Sequence, residues 1–293
     1  MPNQHTLNDE IAFSGIGLHS GCPVNMVLRP APPGTGVVFR RTDLDNFPVE
    51  AAAAHIANVS YATTLMKRGV MISTVEHLLS ALYAVGVDNA LVDIDNLEVP
   101  ILDGSASPYV DPILEAGLRS QDAPRQVLRI RQEVHHTLGD KTITARPSDD
   151  FRVSYGIHFE HPLIGRQEMT YQLALDGFRR EVAPCRTFGF LKEISALKEN
   201  GLIKGGSLEN AVVLSDTAIL NPEGLRYPDE FIRHKVLDFL GDISLLGHPV
   251  LGDFQVFKGG HGLHAALVRH ILADPARYSL ETLENPPAAS VVA

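Results

Sequence analysis

The clearest hydrophobic pattern in this chain covers residues 231–242, where the sequence reads Phe-Ile-Arg-His-Lys-Val-Leu-Asp-Phe-Leu-Gly-Asp. Apolar residues recur there with a period of about 3.6 residues, which predicts an amphipathic α-helix. His234, Asp238 and Asp242 are spaced four apart and would share one face of that helix. That face is either solvated or one side of a metal site, since an imidazole and a carboxylate on adjacent turns can bind one ion.

The first half of the chain reads as short strands followed by two helices. Alternating apolar residues predict strands, at 24–29, 36–40 and 87–94. Ser73 as N-cap and Gly86 after the last turn predict one helix, and a second helix is predicted over 109–117. Glu76 fits a capping box with Ser73, a structural role that does not exclude a catalytic one, and His77 follows it directly.

The second half begins after a polar stretch at 119–126 that contains Pro124 and is predicted to be a linker. Apolar runs beyond it predict strands, at 127–134, 141–146, 151–159, 169–175, 211–214 and 250–258. A helix is predicted over 191–200. His261 lies between glycines after the last strand, which predicts a site residue on a loop, and His264 is open to either a site role or a structural one.

This order of elements predicts two domains, residues 1–118 and residues 124–283, the second with a helix–strand insert at about 188–214. The last residues, 284–293, are expected to form a frayed tail. When the two histidine-bearing helices are set against each other, both halves show strands, a helix, a glycine turn and a strand. This weak internal echo predicts two related domains that face each other, with a site at their interface.

Composition narrows the possible functions. The 293 residues carry a net charge of −10 with no basic run, which argues against a nucleic-acid-binding protein. A hydrophobic content of 44% with 20% charged residues is typical of a globular protein with a sizeable core. The 2 cysteines form no metal or disulfide motif, and neither a signal peptide nor a transmembrane segment is predicted. We therefore expect a cytoplasmic protein, and its 13 histidines favour a metal or acid–base site.

The histidines and carboxylates of the two predicted helices indicate a metal site. His77, His234 and Asp238 would supply three protein ligands, which is the pattern of catalytic zinc. The HExxH motif of many metalloproteases is absent, which counts against that class of enzyme. A structural zinc site in a binding module would normally have four protein ligands, so this alternative needs one more.

Residues beside these ligands suggest acid–base chemistry. Glu76 adjoins His77 and is placed to take a proton from an attacking water molecule. His261, oriented by Asp242, would supply a proton or a positive charge to the reacting group. Lys235 adds a positive charge beside a ligand histidine. Together these residues predict the hydrolysis of an amide or an ester.

Five motifs in order give the chain a family resemblance: Ser73-Thr-Val-Glu-His-Leu78, Ile101-Leu-Asp-Gly-Ser-Ala106, Cys185-Arg-Thr-Phe-Gly-Phe190, Phe231-Ile-Arg-His-Lys-Val-Leu-Asp238 and Lys258-Gly-Gly-His261. The set resembles the UDP-3-O-acyl-N-acetylglucosamine deacetylases, which are zinc amidases of lipid A synthesis in Gram-negative bacteria. The resemblance extends from about residue 11 to about residue 270, nearly the whole chain. It implies an α+β fold of two β-α-α-β layered domains, packed face to face with the active site between them.

The resemblance also implies roles for the site residues. Zinc would be held by His77, His234 and Asp238, although Fe²⁺ also accepts such ligands. Glu76 would be the general base, and His261 a cationic acid or electrostatic stabiliser. The implied substrate is a nucleotide sugar with an acyl chain, from which the N-acetyl group is released as acetate. We expect the chain to be a monomer. A related metallohydrolase acting on another N-acyl sugar is the alternative.

The remaining implied roles concern the substrate. Thr187 would bond the developing oxyanion, Asp242 would orient His261, and Lys235 would contact the substrate. The acyl passage and the nucleotide-sugar contacts are assigned to further residues, namely Phe188, Phe190, Phe159, Lys141, Lys258 and His19. The cysteine that the family usually carries before the first helix is replaced in this chain, where residues 61–65 read Tyr-Ala-Thr-Thr-Leu.

Overall fold

The computed structural model describes residues 2–283, so the tail predicted at 284–293 lies outside the described residues. The strands of the first half are β1 Asn3–Leu7, β2 Ile11–Ile16, β3 Pro23–Pro30, β4 Val37–Arg41, β5 Phe47–Glu50, β6 Ile56–Asn58, β7 Thr64–Lys67, β8 Val70–Ile72 and β9 Ala90–Ile94. The later strands are β10 Leu118–Pro124, β11 Gln126–Ile130, β12 Val134–Leu138, β13 Lys141–Arg146, β14 Phe151–Phe159, β15 Gly165–Gln172, β16 Phe188–Phe190, β17 Val212–Leu214, β18 Val250–Phe257 and β19 Tyr278–Thr282.

Helices follow the strands in both halves. They are α1 Glu76–Val85, α2 Ser107–Ala116, the short α3 Leu175–Gly177, α4 Leu191–Glu199, α5 Glu230–Ile243 and α6 His261–Leu272. Helix α5 matches the predicted helix to within one residue at each end, because a strong apolar stripe specifies it. Helix α6 was not predicted from the sequence. His261 is therefore the first residue of a helix, and its prediction as a loop residue was wrong.

The first half forms a five-stranded sheet in the order β2-β3-β9-β4-β5. Strand β9 is antiparallel to β3 and parallel to β4, so a strand from after α1 lies in the middle of the sheet. Strands β6, β7 and β8 form a separate three-stranded antiparallel sheet. The β7–β8 hairpin ends directly before α1, which places the residues around 63 beside the start of that helix.

The second half forms a seven-stranded sheet around β18. Strand β18 is parallel to β11 and β14 and antiparallel to β13. The predicted strand at 127–134 is in fact divided into β11 and β12, which belong to different parts of this sheet. Between α3 and α5, the short parallel pair of β16 and β17 flanks α4 and forms the predicted helix–strand unit.

The stretch predicted as a linker has regular structure. Residues 118–124 form β10, which pairs in antiparallel fashion with β1 at the other end of the first half. The polar composition of this segment suits an edge strand with exposed side chains as well as a loop. The apolar and polar residues of this segment alternate too weakly to predict a strand, and its pairing with the distant strand β1 makes it one.

Helices α1 and α5 pack against each other, while α2 contacts β2 and α5 contacts β14 and β15. At Gly241 a Cβ atom would lie 2.1 Å from the carbonyl oxygen of Glu76, so the two helices approach at a position that only glycine permits. The α+β class of the fold is confirmed. Among the described helices, none combines the length and apolar character needed to cross a membrane.

Candidate metal centre and active site

The polar stripe of helix α5 is buried. His234, Asp238 and Asp242 are each no more than 2% exposed. Burying ionisable groups is costly unless partners compensate for the lost water, so the solvated-face alternative is wrong. The close approach of α1 at Gly241 brings a second set of polar side chains, Glu76 and His77, against this stripe.

His77, His234 and Asp238 converge on one point. The Nε2 atoms of His77 and His234 lie 3.6 and 3.3 Å from Oδ1 of Asp238. The two imidazole rings are nearly perpendicular, with their centroids 5.0 Å apart. Three potential ligand atoms thus lie within 4.8 Å of one another, which makes these residues a candidate metal-binding group. They come from both halves of the chain, as the sequence predicted.

The protonation of this group suits a cation. Burial lowers the pKa of His234 to about 3, so its imidazole is neutral and offers a lone pair. Its Nδ1–H donates to the Cys185 carbonyl at 3.0 Å, which directs Nε2 towards the group. Burial opposes ionisation of Asp238, but His234 and the Lys235 ammonium, 2.8 Å from Oδ2, hold its pKa well below the ordinary value. Neutral imidazole and ionised carboxylate are the forms that bind metals.

Glu76 does not form the capping box that its spacing with Ser73 suggested. Helix α1 begins at Glu76 with Val75 as N-cap and no side-chain cap. Oε2 of Glu76 instead accepts the backbone N–H of Thr63 at 3.0 Å, and Oε1 lies 3.8 Å from Nε2 of His261. Burial raises the pKa of Glu76. Its carboxylate is thereby a stronger proton acceptor than an exposed one.

Asp242 and His261 form a buried pair. The Nδ1–H of His261 donates to Oδ2 of Asp242 at 2.8 Å. Burial alone would lower the pKa of His261, but Asp242 and, to a lesser extent, Glu76 raise it to about 10. The imidazole of His261 is therefore charged near neutral pH and presents its Nε2–H to the side of the site that contains Glu76.

Three residues of this network were not assigned to the site from the sequence. Thr63 donates its hydroxyl proton to Oδ1 of Asp242 at 2.6 Å. His264 donates its Nδ1–H to Oδ2 of Asp242 at 2.8 Å, and its Nε2 accepts from the Tyr155 hydroxyl at 2.9 Å. The i, i+3 spacing of His261 and His264 could have indicated that both face Asp242, had helix α6 been recognised. No local signal identifies Thr63 or Tyr155.

Backbone hydrogen bonds hold Thr187 in place. Its N–H donates to the Gly104 carbonyl and its own carbonyl accepts from Val212, both at 2.8 Å. Two residues earlier, the Cys185 carbonyl accepts the hydrogen bond from His234. The segment that carries Thr187 therefore borders the group directly.

An aromatic cluster adjoins the same segment. The Phe159 ring lies 5.6 Å from Phe188 and 5.9 Å from Phe190, measured between centroids. Phe188 in turn lies 6.3 Å from the His234 ring, and the Lys235 ammonium lies 5.4 Å from its centroid. The structure thus brings these predicted substrate residues together beside the metal-binding group.

His19 contacts the insert. Its Nδ1 accepts the Ile203 N–H at 3.4 Å, and its carbonyl accepts the Lys204 N–H at 3.2 Å. The carboxylate of Glu98 holds the same turn by accepting the N–H of His19 at 2.9 Å. Within residues 2–283, the buried Nε2 of His19 has no hydrogen-bond partner.

Lys141 and Lys258 lie together at another place, near the β12–β13 hairpin. Lys141 is exposed at the start of β13, and the Lys258 ammonium lies 2.5 Å from Oδ2 of Asp140. Both can present a positive charge to solvent, but neither is part of the buried network.

Comparison with known proteins assigns the chain to a family. Residues 4–273 match the family model described as UDP-3-O-acyl N-acetylglycosamine deacetylase. A UDP-3-O-acyl-N-acetylglucosamine deacetylase from Myxococcus xanthus is 48% identical over 279 residues, covering 95% of this chain and 89% of the relative.

Other relatives with the same name give similar values. The protein from Syntrophotalea carbinolica is 45% identical over 98% of this chain and 93% of its own length. The protein from Coxiella burnetii is 44% identical over 98% of this chain and 95% of its own length. Since the family model and these relatives match nearly the whole chain, it belongs to the UDP-3-O-acyl N-acetylglycosamine deacetylase family of amide hydrolases.

Proposed function

We propose that this chain hydrolyses the N-acetyl amide of a UDP-3-O-acyl-N-acetylglucosamine and releases acetate, an early committed step of lipid A synthesis. One observation carries the proposal: two imidazoles and a carboxylate converge at 3.3 to 3.6 Å, and the proton acceptor Glu76 faces the charged His261 beside them. The names of the relatives agree with this substrate.

His77, His234 and Asp238 are the residues that would hold the metal ion. When bound, a divalent ion supplies Lewis acidity, which makes water more acidic and polarises a carbonyl oxygen. Zn²⁺ accepts this mixture of nitrogen and oxygen ligands, and three protein ligands leave a position open for chemistry. Fe²⁺ suits the same ligands. Elemental analysis of the purified chain will distinguish the two metals, and we expect zinc.

Glu76 acts as the general base. Its carboxylate accepts a proton as water attacks the acetyl carbonyl carbon, and its raised pKa favours that transfer. The bond from Thr63 engages Oε2, so Oε1 is the oxygen directed into the site. Collapse of the tetrahedral intermediate then breaks the C–N bond and leaves acetate and an amine that needs a proton.

His261 is the cationic partner in this step. With Asp242 as its counterion, it donates a proton to the leaving amine or stabilises the negative charge that develops on oxygen. The Thr187 hydroxyl is assigned to hydrogen-bond the same oxygen. A pH–rate profile of the His261→Gln variant tests the imidazole in either role, because the alkaline limb caused by loss of its proton should disappear in the variant.

The substrate is bound by the surrounding residues. The rings of Phe188 and Phe190, next to the insert, form an apolar wall suited to the acyl chain. Lys235 contacts the sugar, and Phe159 stacks on the uracil base. Nucleotide and sugar contacts are also assigned to Lys141, Lys258 and His19.

The decisive test is the Glu76→Gln variant, which keeps the size of the side chain and removes its basicity. We expect the kcat for acetate release from the acylated nucleotide sugar to fall by about 10²–10⁴-fold, the usual worth of general base catalysis. Exposed Glu115 on helix α2 offers a matched control, and Glu115→Gln should leave kcat unchanged.

Full turnover by the Glu76→Gln variant would contradict the assigned mechanism. The substrate is tested separately, with the same sugar lacking either UDP or the 3-O-acyl chain. Equal kcat/KM on the truncated sugars would instead favour a hydrolase of other N-acyl sugars.

A further inference from the structure

Thr63 connects the two halves of the proposed acid–base machinery. It is 1% exposed and lies directly before strand β7. Its backbone N–H donates to Oε2 of Glu76 at 3.0 Å, and its hydroxyl donates to Oδ1 of Asp242 at 2.6 Å. One residue therefore contacts the carboxylate of the base and the carboxylate that orients its partner His261.

The Thr63 peptide is attached to helix α1 by its backbone. In addition to the bond to Glu76, the Thr63 carbonyl accepts the N–H of Val75 at 3.3 Å, which precedes the helix. The side chain points the other way, to Asp242 on helix α5, which lies 179 positions further along the chain. Removing the hydroxyl would leave the α1 side of this arrangement in place and break only the link to α5.

The hydroxyl also completes the hydrogen bonding of Asp242. The N–H groups of His261 and His264 both donate to Oδ2, whereas Oδ1 is bonded by Thr63. A carboxylate with donors on both oxygens cannot rotate about its last bond without losing one of them. The orientation of Asp242, and with it that of the His261 ring, thus depends on Thr63.

We propose that Thr63 is a positioning residue that sets the separation of the Glu76 carboxylate and the His261 imidazole, 3.8 Å in this structure. This inference rests on the proposed function, because it assigns Thr63 to the same reaction. Proton acceptor and cation must both be placed accurately in the transition state, so a looser Asp242 reduces kcat. We expect substrate binding to be unaffected, because the hydrogen bonds that the described residues form with Thr63 involve Glu76, Val75 and Asp242 and not the aromatic cluster or Lys235.

The alternative is that Thr63 only satisfies a buried polar group and stabilises the fold. Thr64 separates the two explanations. It is the next residue, is 8% exposed, and places its hydroxyl 2.9 Å from the Ser73 hydroxyl, so it bonds within the hairpin region and not to the carboxylates. Thr64→Val removes a buried hydroxyl of the same kind at the neighbouring position.

The experiment compares Thr63→Val, Thr63→Ser and Thr64→Val for kcat, KM, bound metal and thermal unfolding. We expect Thr63→Val to lose about 10–100-fold in kcat, as when outer partners of an active site are removed, with bound metal retained. KM should change by less than about 2-fold, because the lost interaction acts in the transition state. Thr63→Ser should recover most of the kcat, and Thr64→Val should keep it.

Several outcomes would overturn the inference: wild-type kcat in Thr63→Val, an equal loss in Thr64→Val, or a loss explained by released metal. If Thr63→Val does not fold, Thr63→Ala removes the hydroxyl without a new methyl group in its place and is compared in the same way. Failure of the proposed function is recognised separately, by full activity of Glu76→Gln. An inactive Glu76→Gln with a fully active Thr63→Val would reject only the role of Thr63.

Discussion

Two groups of the same composition are centred on carboxylates of helix α5 that lie one turn apart. His77 and His234 surround Asp238, and His261 and His264 surround Asp242. In each group, one carboxylate and two imidazoles place ligand atoms within 4.8 Å of one another. Residue types and spacing alone would make both groups candidate metal sites.

Hydrogen bonding separates the two groups. Around Asp242, both histidines donate N–H bonds of 2.8 Å to the same carboxylate oxygen, and Thr63 engages the other. Around Asp238, the histidine nitrogens lie further away, at 3.3 and 3.6 Å from Oδ1. Short N–H and O–H hydrogen bonds fill the Asp242 group, whereas the longer distances of the Asp238 group leave more room between its potential ligand atoms.

The pKa values of His234 and His261 differ in direction. His234 lies 3.3 Å from the Asp238 carboxylate, but burial outweighs that charge and lowers the pKa of His234 to about 3. His261 is buried as well, but the charges of Asp242 and Glu76 raise its pKa to about 10. Burial alone therefore does not decide whether a histidine binds a metal or bears a charge. The balance between burial and the surrounding carboxylates does, because His264 bonds to the same Asp242 and yet has a pKa that burial lowers.

The largest expected effect is the contrast between His234→Ala and His264→Ala. His234→Ala removes a ligand, so bound metal should fall from about one ion per chain to near none. The rate of acetate release should fall further than it does on loss of an acid–base group, which contributes about 10²–10⁴-fold. His264→Ala should retain its metal and lose about 10–100-fold in activity. Equal metal loss in both variants, measured by elemental analysis, would contradict the division between the groups.

A change at Asp242 should move the pH dependence. Asp242→Asn removes the negative charge that holds the proton on His261, so the alkaline limb of the kcat profile should shift about 1–3 units to lower pH. In the native chain, the raised pKa means that this pair stabilises the fold fully below the ordinary pKa of 6.5. That stabilisation is lost as pH rises towards about 10.

These two pH dependences are tested by measuring kcat and urea unfolding of the native chain and of Asp242→Asn between pH 6 and pH 10. An unshifted alkaline limb in Asp242→Asn would show that another group sets it.

The smallest expected effect concerns the outer end of the second group. Tyr155→Phe removes the hydroxyl that donates to Nε2 of His264 at 2.9 Å. We expect a loss of about 1 kcal/mol in the free energy of unfolding, the usual net worth of one hydrogen bond. The kcat should change by less than Thr63→Val changes it, because His264 keeps its bond to Asp242. A loss of metal in Tyr155→Phe would connect the two groups that the structure separates.

Much of this molecule follows from its sequence. The periodicity of residues 231–242 specified helix α5, and the i, i+4 spacing put its three polar residues on one face. Five motifs in order indicated the family, and the family model and relatives confirm it. These features depend only on neighbouring residues or on the order of motifs along the chain, so they can be detected in the sequence.

Tertiary structure decided the rest. Helix α6 and strand β10 were not predicted, because their local sequence patterns are weak and contacts with distant elements stabilise them. The capping box of Ser73 and Glu76 gave way to a bond from Thr63, because a buried carboxylate takes the donor that the fold presents. The sequence determined which imidazoles and carboxylates helix α5 and its partners would carry. Only the packing of α1, α5 and α6 decided which would share protons and which would leave lone pairs for a metal, since those hydrogen bonds join residues far apart in the chain.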